Sequence, residues 1–178
     1  MRTLLYILLL AEVHFFGCNT AKELKKDEAL QIINKELNYP RVIDYDVFRS
    51  DPAHAKRILD AGLETDGMVE VQKTQKLKDI GKPLVQFTGK ARSYLLPTPD
   101  KDKALDVQKV KIADEEVEDV RIIRGDENKH TVWVEYTSVY KNITPFSVLM
   151  KRDLNEPVRH NVKFSLSDDG WILQKSVH

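Results

Sequence analysis

The chain has 178 residues, and its 28 Lys and Arg balance 28 Asp and Glu, so the formal net charge is zero. A neutral balance gives no electrostatic footprint for nucleic acid or anionic lipid, and a single cysteine excludes any disulfide within the chain. Charged residues at 31% with only 7 Gly and 7 Pro describe a folded, well-solvated domain rather than a disordered tail.

Met1-Arg2 is followed by an apolar run from Leu4 to Leu10, then by Phe15-Phe16-Gly17 and Cys18. The run is too short to span a bilayer, because a helix needs about 20 apolar residues at 1.5 Å each and Glu12 interrupts it. It therefore reads as a targeting segment. Phe15 and Phe16 do not offer the small-x-small site of general secretory cleavage. A charged start, a short apolar stretch, a small residue and a lone cysteine resemble the signal of a bacterial lipoprotein, a family that usually carries Leu and a small residue where Phe15 and Phe16 stand. The resemblance implies that residues 1–17 are removed as a signal peptide and that Cys18 carries the lipid, diacylglycerol and palmitate, that holds the protein to the membrane. Asn19, being other than Asp, implies the outer membrane facing the periplasm. The rival readings are a plain signal peptide and a cytosolic chain with an apolar start. Residues 18–178 fit one domain or two small subdomains.

Thr20-Ala21-Lys22-Glu23 has the form of a capping box, and Leu30, Ile33 and Leu37 recur at helical spacing, widened by Ala29 and Ile32. The pattern predicts a helix over Ala21–Leu37, stopped by Asn38-Tyr39-Pro40. Val42–Phe48 reads as a strand. Ser50-Asp51-Pro52 then supplies a cap and a proline at the first helical position, Ala55, Ile58 and Leu59 form the stripe, and Gly62 falls at the helix end. Met68–Thr74 and Leu84–Phe87 read as extended, and Thr88 caps a short helix through Ala91, Tyr94 and Leu95 that Pro97 and Pro99 end.

Ala61-Gly62-Leu63 leading into Val69-Glu70-Val71, and then Val85 to Leu95, resemble the end of a winged-helix module, a helix followed by paired strands and a short helix. The same stretch is similar to uncharacterised bacterial envelope lipoproteins that join such a segment to a C-terminal β region. A DNA-reading winged helix needs a helix before its recognition helix, where this chain predicts a strand.

Pro97 to Lys103 is polar, punctuated by proline and alternating in charge, and reads as a linker. Beyond it the period becomes two. Leu105–Ile112 and Val117–Arg124 supply two strands, the first changing phase near Gln108, which suggests a bulge. Val132, Val134, Tyr136 and Tyr140 lie on one face of a long strand, with Thr131, Trp133 and Glu135 on the other. Val158, His160, Val162, Phe164 and Leu166 alternate with polar residues in the manner of a sheet wet on one side. Asp168-Asp169-Gly170 signals a hairpin that returns through Trp171-Ile172-Leu173. The fold class is α+β: an N-terminal helical, winged-helix-like half over 18–96, a linker over 97–103, and an antiparallel β-meander of about five strands over 104–178.

Candidate chemistry is sparse. The histidines are His14, His54, His130, His160 and His178, none at metal-ligand spacing, and His160 on its apolar face reads as a core or boundary histidine making one hydrogen bond. Ser138, Ser147, Ser165 and Ser167 sit in or beside strands, outside any Gly-x-Ser-x-Gly elbow. A glycine-rich phosphate loop is missing, and Asn142-Ile143-Thr144 matches a glycosylation sequon. Asp114, Glu115, Glu116, Glu118 and Asp119 form an acidic run without the turn glycine of a calcium loop, read as a solvated strand edge. Lys73, Lys76, Lys78, Lys82, Lys90 and Arg92 form a basic cluster opposed only by Asp79, read as a solvated wing with lipid headgroups or a polyanion as the sharper alternative. Catalytic residues, cofactor and metal are expected to be none, with Cys18 the lipid attachment site.

The function expected is that of a non-enzymatic binding or assembly factor, anchored through the lipid on Cys18 and meeting an envelope protein or glycan partner at sheet rims around Trp133 or Trp171, with no nucleic acid. The alternatives are an envelope polysaccharide-active enzyme with a dispersed carboxylate pair about 5–10 Å apart and, for a chain that stays in the cell, a winged-helix nucleic-acid binder.

Overall fold

The computed structural model describes residues 23–75, 77, 80–125 and 130–174. The expected signal segment, Cys18, Asn19 and Thr20, together with Lys76, Lys78, Asp79 and His178, lie outside the described residues. The chain is mixed helix and sheet. Its principal sheet is antiparallel, five-stranded and ordered β1-β4-β5-β6-β7, from β1 (Arg41–Phe48), β4 (Val107–Gly125), β5 (Thr131–Lys141), β6 (Val158–Ser167) and β7 (Gly170–Gln174). A second, two-stranded sheet pairs β2 (Val69–Val71) with β3 (Val85–Phe87).

Helix α1 spans Lys26–Glu36, so it starts five residues later than the capping pattern predicts. Leu24 is buried just before it, in one core with Ala29 of the first turns, and Asp27 and Glu28 lie where the helix dipole favours negative charge. The helix ends where expected. Asn38 takes a left-handed φ of 56°, and the Tyr39 N–H returns to the Asn34 carbonyl at 2.9 Å. Helix α2, Pro52–Asp60, has both predicted ends: Asp51 accepts from the Ala53 N–H at 2.7 Å, and Gly62 at φ 80° lets Leu63 bond back to Ile58 at 3.3 Å. Both Leu63 and Ile58 are buried, the apolar contact that accompanies this cap.

Two expectations change. The strands foreseen over Leu105–Ile112 and Val117–Arg124 are one continuous 19-residue strand, β4. Its partners skip Ile112, Glu118 and Ile123, so three bulges rather than one near Gln108 break the alternation and make one strand read as two. The fifth strand of the sheet is β1, paired Arg41↔Glu115 through Phe48↔Val107. The two halves of the sequence thus share one sheet. Between them, Asp100–Lys103 forms a helical turn, α3, while Leu96 and Thr98 hydrogen-bond to the backbone of Lys109 at 2.9 and 3.0 Å.

One face of the sheet is covered and the other is open. On β5, Val132, Val134, Tyr136, Ser138 and Tyr140 are buried, whereas Trp133 on the opposite side is 49% exposed. At one end of the covered face α1 packs Leu24, Ala29 and Ile33 on Val120, Val134, Phe164 and Trp171. At the other end α2, the β2–β3 hairpin and the 3₁₀ helices Gly89–Tyr94 and Pro145–Leu149 close over Val47, Val110 and Ile112, the second 3₁₀ helix burying its Phe146 among them. Thr88 and Thr144 cap those two 3₁₀ helices through the N–H groups of Lys90 and Phe146.

Candidate functional site

Between the two apolar clusters a polar row crosses the covered face from β1 to β6. Antiparallel partners point to the same side, so the pairs Arg41↔Glu115, Glu115↔Tyr140 and Tyr136↔His160 bring these side chains together. Glu115 is the centre and is only 2% exposed. Its Oε2 accepts from Arg41 through Nε and Nη2, both at 2.8 Å, and its Oε1 accepts from the Ser138 hydroxyl at 2.7 Å and the Tyr140 hydroxyl at 3.4 Å. His160 Nε2 lies 2.9 Å from Ser138 Oγ. Since the serine has one proton and gives it to Glu115, Nε2 must carry hydrogen and donate to Oγ.

Aromatic rings close the surround. The Arg41 guanidinium lies 4.8 Å from the Tyr39 ring centre and that of Arg152 lies 4.7 Å from Tyr140. Tyr39 meets Tyr136 edge-on at 6.0 Å, and Tyr136 stacks on His160 at 4.5 Å. The titration of the group follows from this packing. Burial alone would raise the Glu115 carboxyl, but the hydrogen bonds from Ser138 and Arg41 and the charge of Arg41 outweigh it and hold the carboxyl below its usual range. Burial lowers His160 against the opposing pull of Glu115, with Arg41 and Arg152 assisting, so the neutral imidazole is favoured. Burial, then the hydrogen bond with Tyr39, raises the Tyr136 phenol.

The order of these groups decides what they can do. A serine nucleophile needs histidine between itself and the acid, whereas here Ser138 stands between Glu115 and His160 and is fully buried. The cluster is built to hold charge in place rather than to activate a hydroxyl. Among the described residues no group of three or more His, Cys, Asp or Glu is placed to hold a metal ion.

The remaining sequence candidates disperse. His160 is the boundary histidine expected, adding a ring stack to its one side-chain hydrogen bond. Asp114 to Asp119 form no solvated edge, because β4 is internal to the sheet: Asp114 pairs with Lys111 at 2.7 Å, Asp119 with Lys26 at 2.7 Å, and Glu115 is buried. Of the basic cluster's described members, Lys73 bridges Glu64 at 2.8 Å and Lys90 donates to the Asp66 carbonyl at 2.7 Å, so oxygens from the α2–β2 connection oppose these two. Trp171 is core, 6% exposed, and only Trp133 of the two tryptophans presents a rim. Arg41 and Arg152 do not stand out in the sequence, and Ser138 does so only as one of four serines in or beside strands. The available signal was Glu115 itself, an acid standing in phase with the inward-facing Ala113 and Val117.

Compared with family models, curated proteins and solved structures, the chain finds no match.

Proposed function

We propose that the protein is a non-enzymatic binding or assembly factor of the bacterial envelope, tethered to the outer membrane by lipid on Cys18 and offering its folded domain to a protein or glycan partner in the periplasm. The observation that carries the reading is the single cysteine directly behind a charged start, a short apolar run and Gly17. Two or more acyl chains on one residue make detachment negligible, because each buried CH₂ contributes about 0.8 kcal/mol. Among the described residues no helix is long and apolar enough to cross a membrane. The non-enzymatic part is supported by the Glu115–Ser138–His160 order, in which the hydroxyl is buried and its proton already committed. For the contact surface, Trp133 stands exposed on the open face beside Lys163, its partner on β6. The segment from α2 through β2 and β3 to the 3₁₀ helix is read as the winged-helix-like part, used for packing rather than for DNA, since β1 precedes α2.

Labelling cells with an alkyne-bearing palmitate tests the tether. Label in the membrane fraction that disappears in Cys18→Ala supports it; a soluble product inside the cell that retains residues 1–17 overturns it. Crosslinking from membranes then tests the partner, with recovery of one specific protein or glycan that Trp133→Ala reduces as the expected result.

A further inference from the structure

We propose that the rim of the ring around Glu115, formed by Arg152, Arg41 and His160, is a binding site for an oxyanion, a phosphate or carboxylate group. The proposal does not rest on anchoring at Cys18.

The charge count motivates it. Glu115 is the one carboxylate in the ring, and Arg41, Ser138 and Tyr140 satisfy it from within. Arg152 is left over. Its side chain is exposed, its guanidinium carbon lies 4.7 Å from the Tyr140 ring centre, and it forms no ion pair among the described residues. The neighbouring carboxylate, Asp153, borders the same hollow as Arg152 but accepts from the Asn155 backbone N–H at 2.8 Å and its side-chain amide at 2.9 Å rather than pairing with the guanidinium. Arg41 is thus spent on Glu115, while the charge of Arg152 stays unpaired at the rim, within electrostatic reach of His160.

The site is also held in place. The segment carrying Arg152 is pinned by buried Leu149 on one side and buried Leu154 on the other, and the cation–π contact with Tyr140 restrains the guanidinium. A planar fork ordered in advance loses less entropy when it donates to two oxygens. Arg41 uses Nε and Nη2 on Glu115, is 46% exposed, and keeps Nη1 free to donate outward. His160 adds a ring that becomes a donor cation on protonation. Next to Arg152 lies a shallow hollow of about 260 Å³ bordered by Ile143, Val148 and Met150 on its apolar side and by Ser147, Asp153 and Asn155 on its polar side, which gives the body of a ligand a place to rest.

The test uses the full chain at constant ionic strength, with chloride as the control anion. Inorganic phosphate is titrated while heat and the His160 imidazole resonances are followed, and vesicles of phosphatidylglycerol are compared with vesicles of phosphatidylcholine. A saturable response to phosphate is expected, weakened about tenfold or more in Arg152→Gln, weakened less in Arg152→Lys, which keeps the charge but loses the fork, and unchanged in Arg159→Gln on the open face. Preference for phosphatidylglycerol that vanishes in Arg152→Gln assigns the oxyanion to a lipid headgroup; phosphate binding without vesicle preference assigns it to a free solute. No saturable response to either probe, or a response that survives in a folded Arg152→Gln, overturns the proposal.

Discussion

Under α1 and at the polar row, the same strands are stabilised by opposite means. Along β5 the inward positions read Val132, Val134, Tyr136, Ser138 and Tyr140. The first two are covered by helix α1 and its neighbours in a dry contact of Ile33, Phe164 and Trp171. The last three carry hydroxyls, and Ser138 and Tyr140 turn theirs to Glu115. Dispersion and the hydrophobic effect are indifferent to direction, so the dry end depends on volume. The polar row depends on pairing, because a buried carboxylate that loses its donors keeps its desolvation penalty.

The largest effect should come from emptying the dry end. Phe164→Ala leaves a cavity among fully buried side chains and is expected to cost about 4 kcal/mol in urea unfolding. A loss below about 1 kcal/mol would mean that this end is loosely packed. Arg41→Met removes the charge facing Glu115 and is expected to cost about 3 kcal/mol, the low end for a buried pair because Arg41 is half exposed. The double change with Glu115→Gln should recover much of that loss, whereas no second substitution of this kind recovers Phe164→Ala. Equal, additive losses in Arg41→Met and Glu115→Gln would erase the distinction between the two regions.

Asp51→Ala, at the cap of α2, touches neither region and should cost about 1 kcal/mol. The smallest signal is the dependence on pH. His160 binds its proton less readily folded than unfolded, so the unfolded chain gains protons first as pH falls below about 6.5, and stability declines from there. Glu115 acts lower. Its folded carboxyl is depressed, so its contribution is present above about pH 4.5 and is lost as pH falls through the folded value. His54 is also lowered, mainly by burial, and contributes with the same sign. His160→Gln should therefore flatten, without abolishing, the slope between neutral pH and pH 5.

These contrasts also mark what could be read in advance. Asp51-Pro52 and Gly62 bound α2 through chemistry confined to a few adjacent residues, and the alternation of β5 and β6 follows from one face being wet. The polar row had no such local mark. A solvated acidic run and a run holding a buried carboxylate have the same composition, and the residue that distinguishes them, Arg41, lies 74 positions away. The bulges at Glu118 and Ile123 hid the unity of β4 for a related reason: an extra residue reverses the phase, and phase is what marks a strand as continuous.

That unbroken β4 has a consequence for how the chain reaches its native state. β1 lies roughly sixty residues upstream of the strand it joins, so closing that loop carries an entropic cost before any contact repays it. Both apolar clusters draw on β4, Val110 and Ile112 for one and Val120 for the other. Until this strand is made, a growing polypeptide holds helices with nothing to lean on, and a fragment ending before it inherits one orphan strand rather than a smaller protein.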